Sequence, residues 1–149
     1  MSENGLPLEA GAFAAALLSA MPDAVVYADR TGTIRFWNQG AERIFGHSAA
    51  EAIGQSLDLI IPENLRARHG AGFDDTMRTG KTRYGGGDML SVPAIRKDGK
   101  RISVEFTIVP FHDASGGMAG IAAVMRDVTV RFEEVRMLKR ELAQRTAGA

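Results

Sequence analysis

Lys100-Arg101-Ile102-Ser103-Val104-Glu105-Phe106-Thr107-Ile108-Val109-Pro110-Phe111 is the stretch that decides the fold. Ile102, Val104, Phe106, Ile108 and Pro110 alternate with Arg101, Ser103, Glu105 and Thr107. A period of two sends successive side chains to opposite faces, so this is an antiparallel strand with one buried and one wet face. Asp98-Gly99 just before it is a hairpin-turn signal, and it joins this strand to an earlier one running from about Met89 to Ile95. Asp113-Ala114-Ser115-Gly116-Gly117 turns the chain again, into a third strand from Met118 to Arg126.

Further upstream, Ala24–Ala28 and Thr33–Trp37 are β-rich and flank Asp29-Arg30-Thr31-Gly32, which reads as a second hairpin. A helical block separates the two groups of strands. Asn38 is placed as an N-cap, with Ala41, Ile44 and Phe45 as an apolar face and Gly46 as the stop. Ser48 and Glu51 have capping-box spacing. Pro62 suits a helix first turn, and Leu65, His69, Phe73 and Met77 then recur every four residues on one helical face. Glu63, Arg66, Asp74 and Arg78 fall opposite and suit solvent. Gly70 and Gly72 weaken this helix by about 1 kcal/mol each relative to alanine, and they remove bulk beside His69. Thr79-Gly80-Lys81 ends it.

Two further helices flank this block. Leu8 to Met21 is Ala-rich with Leu8, Phe13, Leu17, Leu18 and Met21 apolar, and it stops before Pro22. Asp127-Val128-Thr129 opens a last helix to about Thr146. Its stripe of Val128, Phe132, Val135, Leu138 and Leu142 has coiled-coil spacing but covers only about two heptads. The chain therefore divides into a tail and amphipathic helix (1–21), a central domain (22–128) and a C-terminal coiled-coil-like helix (129–149). Strands grouped around a helical block predict an α+β domain built on one antiparallel sheet.

Composition narrows the function. A chain of 149 residues can bury a core without covalent staples. It has no Cys, which excludes disulfides, zinc–thiolate sites, Fe–S clusters and thiol nucleophiles. Lys plus Arg and Asp plus Glu number 18 each, so no basic excess points to nucleic acid. Apolar runs such as Phe13–Leu18 are too short to span a bilayer, and the N-terminus lacks the basic start of a secretory signal. A cytoplasmic protein is expected. No catalytic constellation is present, so the domain reads as a sensory or binding module rather than an enzyme. Gly85-Gly86-Gly87 lacks the Lys-Ser/Thr of a P-loop and reads as a hinge. Trp37 is expected in packing, and His47 and His112 in solvent.

Six phrases in this order resemble a PAS domain, the sensory module of many bacterial signalling proteins: Pro22-Asp23-Ala24, Asp29-Arg30-Thr31-Gly32, Asn38 through Gly46, Ile53-Gly54, Arg96-Lys97-Asp98-Gly99 and Arg126-Asp127-Val128-Thr129. The resemblance implies a five-stranded antiparallel sheet with helices across one face and any ligand between them. Pro62-Glu63-Asn64-Leu65-Arg66-Ala67-Arg68-His69 is similar to the heme-binding subgroup, the oxygen-sensing histidine kinases and heme-regulated cyclic-di-GMP phosphodiesterases. That likeness implies heme b, with His69 as proximal iron ligand. Met89 stands nine residues before Asp98, the place of the other axial ligand in the phosphodiesterase type. Leu65, Phe73 and Leu90 would line the pocket, and Arg78 and Arg83 are the candidates for the propionates. Where the oxygen-sensing kinases carry a distal arginine, this chain has Leu90 and Ser91.

The implied function is a sensor of a diatomic gas or of redox state. It would act as a homodimer through its terminal helices, with a signalling partner or an output domain elsewhere in a longer chain. The alternative is a PAS module without heme, serving dimerisation or holding an organic ligand such as flavin. Without a cysteine that flavin would be noncovalent.

Overall fold

The computed structural model describes residues 9–81 and 90–148. Helix α1 is Ala10–Ala20, followed by strands β1 (Ala24–Asp29) and β2 (Ile34–Trp37). Helices α2 (Gln39–Phe45) and α3 (Ala49–Ala52), then 3-10 turns at Leu57–Ile60 and Glu63–Leu65, lead into α4 (Arg66–Thr79). Strands β3 (Leu90–Ile95), β4 (Arg101–His112) and β5 (Met118–Asp127) precede helix α5 (Thr129–Ala147). The five strands form one antiparallel sheet in the order β2-β1-β5-β4-β3. This is the α+β architecture expected from the alternation of β4 and the grouping of strands around the helical block.

Local chemistry sets the element ends. The Asn38 side chain accepts from Ala41 N at the start of α2, and Gly46 ends that helix at φ 85°, a left-handed conformation that glycine adopts without a Cβ penalty. Ser48 and Glu51 form the reciprocal capping box of α3. Glu9 caps α1 by accepting from Gly11 N and Ala12 N, so α1 begins two residues later than the apolar pattern implied. Pro62 opens a 3-10 turn rather than α-helix, and the α-helical ladder starts only at Arg66.

The core lies between one sheet face and helices α2 and α3. Ala24, Val26, Ile34, Trp37, Ala41, Phe45, Ala52, Ile60, Ala94, Ile102, Val104 and Met125 are its buried members. Trp37 packs against Phe45 with ring centroids 5.5 Å apart, and its indole N–H donates to His47 O. His47 is thereby half-buried rather than solvated. The expected wet face of β4 is also half-buried at Ser103, Glu105 and Thr107. The start of α5 explains part of this, because Val128 N donates to Ser103 O and the Thr129 hydroxyl accepts from Ser103 N. On the inner face burial fades along β4, from Ile102 and Val104 to the half-buried Phe106 and Ile108 and the exposed Pro110. No helix among the described residues is long and apolar enough to cross a membrane.

Candidate functional site

Helix α4 positions the candidate ligand. Leu65, His69, Phe73 and Met77, which its four-residue period places on one face, are all half-buried, while Glu63, Asp74 and Arg78 are exposed. The His69 and Phe73 rings lie 6.4 Å apart between centroids at 26°, a loosely stacked pair. Phe73 reaches the β1–β2 turn: a Cβ on Gly32, which sits at φ 79°, would lie 3.7 Å from its ring. A Cβ on Gly70 or Gly72 would meet nothing within 4 Å, and Gly72 is open to solvent. Across from this face, the sheet residues Phe106, Ile108, Ile121 and Ala123 are only half-buried, so its inner surface is not sealed here as it is at α2.

Burial pushes the His69 imidazole below its ordinary pKa, against the opposing pull of the Asp58 carboxylate. The ring is therefore neutral at pH 7 and carries a lone pair. Among the described residues no hydrogen bond occupies either ring nitrogen, and no three His, Cys, Asp or Glu side chains converge as a metal cage. His69 could thus serve a metal only as a single donor, to an ion that brings its other ligands with it.

The other sequence candidates divide. Leu65 and Phe73 share the face of His69. Arg78 is nine residues, or half a helical turn out of phase, from His69; it stands in solvent paired with Asp75 at 2.7 Å. Leu90 opens β3 opposite Phe106. Met89, Arg83 and Gly85–Gly87 lie outside the described residues. Arg66, expected in solvent, is half-buried with its Nε donating to Ile61 O at 3.0 Å. Asp58 is the residue that sequence reasoning missed. It sits in the 3-10 turn before Pro62, and no helical spacing links it to His69.

The His69 shift predicts a pH dependence. Below the ordinary value of about 6.5 the unfolded chain takes up a proton that the folded imidazole refuses, so acidification favours unfolding. Stability of the ligand-free protein is expected to fall in the window that opens as pH drops below about 6.5, and His69→Gln to flatten that fall. Glu51, held down to about 2 by its hydrogen bond from Lys97, does not titrate in that window. Urea denaturation of both proteins across the window measures this; equal slopes in the two would overturn it.

The PAS fold family matches residues 18–133 of the chain. Sensor protein FixL of Bradyrhizobium diazoefficiens is 33% identical over 113 residues, covering 76% of this chain and 22% of FixL. Oxygen sensor protein DosP of Escherichia coli is 29% identical over 131 residues, covering 86% of this chain and 16% of DosP. The chain thus spans about a fifth of the length of these curated relatives. The solved structure of an RNA-binding light-oxygen-voltage receptor superposes with a TM-score of 0.72 at 18% identity, covering 99% of this chain and 41% of that one. At that identity it shows the shared fold alone. A family match across most of the chain and a single antiparallel sheet in the order β2-β1-β5-β4-β3 lead to one conclusion: the chain belongs to the PAS fold family.

Proposed function

We propose that this PAS domain is a cytoplasmic sensor that holds heme b through His69 and responds to a diatomic gas or to redox state. One observation carries the reading: a half-buried imidazole on the inner face of α4, its charged form disfavoured by burial, with no hydrogen bond to either nitrogen among the described residues and only half-buried sheet residues across from it. The likeness of Pro62–His69 to the heme-binding subgroup agrees with it, as does the similarity to an oxygen sensor protein. Heme would supply an iron centre that binds a gas or changes oxidation state. In this reading His69 would hold the iron, and Met89 would be the candidate for a second ligand. Leu65 and Phe73, on the same face as His69, would shield that side from water, whereas Arg78 stands on the opposite face, paired with Asp75.

Terminal helices α1 and α5 carry the signal and pair with a second copy. Support comes from their surfaces: neither buries a residue in the single chain, and Phe13, Leu17, Phe132, Val135, Leu138 and Leu142 stand exposed. Buried in a dimer, such side chains would each contribute about 1.5–3 kcal/mol if fully removed from water.

Absorption spectra of protein reconstituted with hemin, oxidised and reduced, test the proposal. A Soret band that co-purifies with the chain and shifts on reduction is the expected result. A colourless chain after reconstitution overturns it, and a yellow chain with a flavin spectrum moves the reading to a noncovalent flavin module.

A further inference from the structure

Asp23 and Arg126 are 103 residues apart in sequence, yet their side chains meet fork to fork. Arg126 Nε donates to Asp23 Oδ1 at 3.1 Å and a terminal guanidinium nitrogen donates to Asp23 Oδ2 at 3.0 Å. The pairing continues the β1–β5 ladder by one step, since Ala24 is opposite Met125. Asp23 lies in the short link between α1 and β1, and Arg126 lies near the end of β5, just ahead of α5.

Each partner is wired to the terminal helix on its own side. The Asn38 side-chain amide donates to Asp23 O at 3.0 Å and to Leu18 O at 2.8 Å, and Leu18 is in α1. On the other side the Asp127 carboxylate accepts from Thr129 N and the Thr129 hydroxyl at the start of α5, and that hydroxyl accepts from Ser103 N. A continuous path therefore runs from α1 through Asn38 and Asp23 to Arg126, then through Asp127 and Thr129 to α5.

Arg126 also has a second carboxylate beside it. Glu105 is its cross-strand neighbour on β4, on the same sheet face as Asp23. The three residues border a small hollow of about 60 Å³ with Thr107 and Val124. A bidentate arginine–carboxylate pair fixes geometry as well as charge, but Arg126 is largely exposed, where such a pair is easily exchanged.

We propose that Arg126 is a two-position latch between the terminal helices: on Asp23 it couples α1 to α5, and on Glu105 it releases α1. Two discrete partners supply the bistable element that coupling between distant elements requires. This inference is independent of the ligand, because it concerns only how the sheet edge ties the two helices.

The absence of cysteine makes the test clean. Spin labels on Ser19→Cys and Glu133→Cys, both exposed positions, report the α1–α5 distance by double electron–electron resonance. Labelled chains are diluted into unlabelled ones so that only distances within a chain are read. The parent protein is expected to give one narrow peak. Arg126→Gln and Asp23→Asn are each expected to lose it to a broad distribution, and Glu105→Gln to keep it. If Arg126→Gln does not give a cooperative thermal melt, Asp23→Asn carries the test. Unchanged narrow peaks in the single variants overturn the latch, as does equal broadening in Glu105→Gln, which would mark a general response to lost charge.

Discussion

Replacing Asn38 with alanine is expected to lower the unfolding free energy by about 3 kcal/mol. The residue is 4% exposed and uses both ends of its amide. Its oxygen accepts from Val25 N at 2.8 Å and Ala41 N at 2.9 Å, and its nitrogen donates to Leu18 O and Asp23 O. Loss of the cap alone costs about 1 kcal/mol. The Val25 N–H is then left buried without a partner, which adds about 1–3 kcal/mol. The two carbonyls lie nearer the surface and recover water, so they add less. For a domain of this size the loss corresponds to a fall in Tm of about 10 °C. Asn38→Ser keeps an acceptor for Ala41 N and is expected to lose less. Urea melts with an unchanged m-value measure both; a loss below about 1 kcal/mol in Asn38→Ala would mean that water replaces the amide.

The same residue shows what a sequence can and cannot disclose. Its capping role was legible, because a short polar side chain before an apolar run has one local use. So were Gly46, the Ser48–Glu51 box and the alternation of β4, each decided by neighbours within a few residues. The bonds from Asn38 to Leu18 and Asp23 were not legible, because they depend on where α1 comes to rest. Gly40 makes the point again: any Cβ there would collide with the Asp23 carbonyl, a constraint set by a segment outside its own helix. Wet positions on β4 were misjudged for the same reason. Period two fixes which way Ser103 and Glu105 face but not what arrives over them, and the start of α5 arrives over Ser103.

The candidate site divides along the same line. The row Leu65, His69, Phe73 and Met77 follows from helical periodicity and is half-buried as a unit. Asp58 and the seat of Arg66 on Ile61 O come from the 3-10 turns ahead of α4, where side-chain direction follows neither the helix nor the strand period. Burial sets the direction of the His69 shift, and the carboxylate that opposes it is one that no spacing rule selects.

Replacing His69 with alanine is expected to abolish the Soret band of reconstituted protein while leaving the fold intact. Fold survival follows from position: the ring is half-buried, loosely stacked on Phe73 and outside the buried core, so truncation costs about 1 kcal/mol. On the proposed heme reading, retention of the group would depend on the imidazole far more steeply. A coordinate bond worth a net ~3 kcal/mol amounts to about a hundredfold in affinity, enough to lose the group during purification. The two effects are read separately, by thermal melting of the ligand-free protein and by absorbance after gel filtration. His69→Gly adds a sharper arm. It costs about a further 1 kcal/mol of helix stability, but it opens a space of imidazole shape, so added imidazole is expected to restore the band. If Met89 is the second ligand proposed, Met89→Ala is expected to keep the band and change only its position in the reduced protein, because a thioether would tune iron that His69 already holds. A band that survives His69→Ala would place the iron ligand elsewhere. A band lost together with the cooperative melt would show that the imidazole holds up the fold instead, and the half-burial of α4 would then be packing alone.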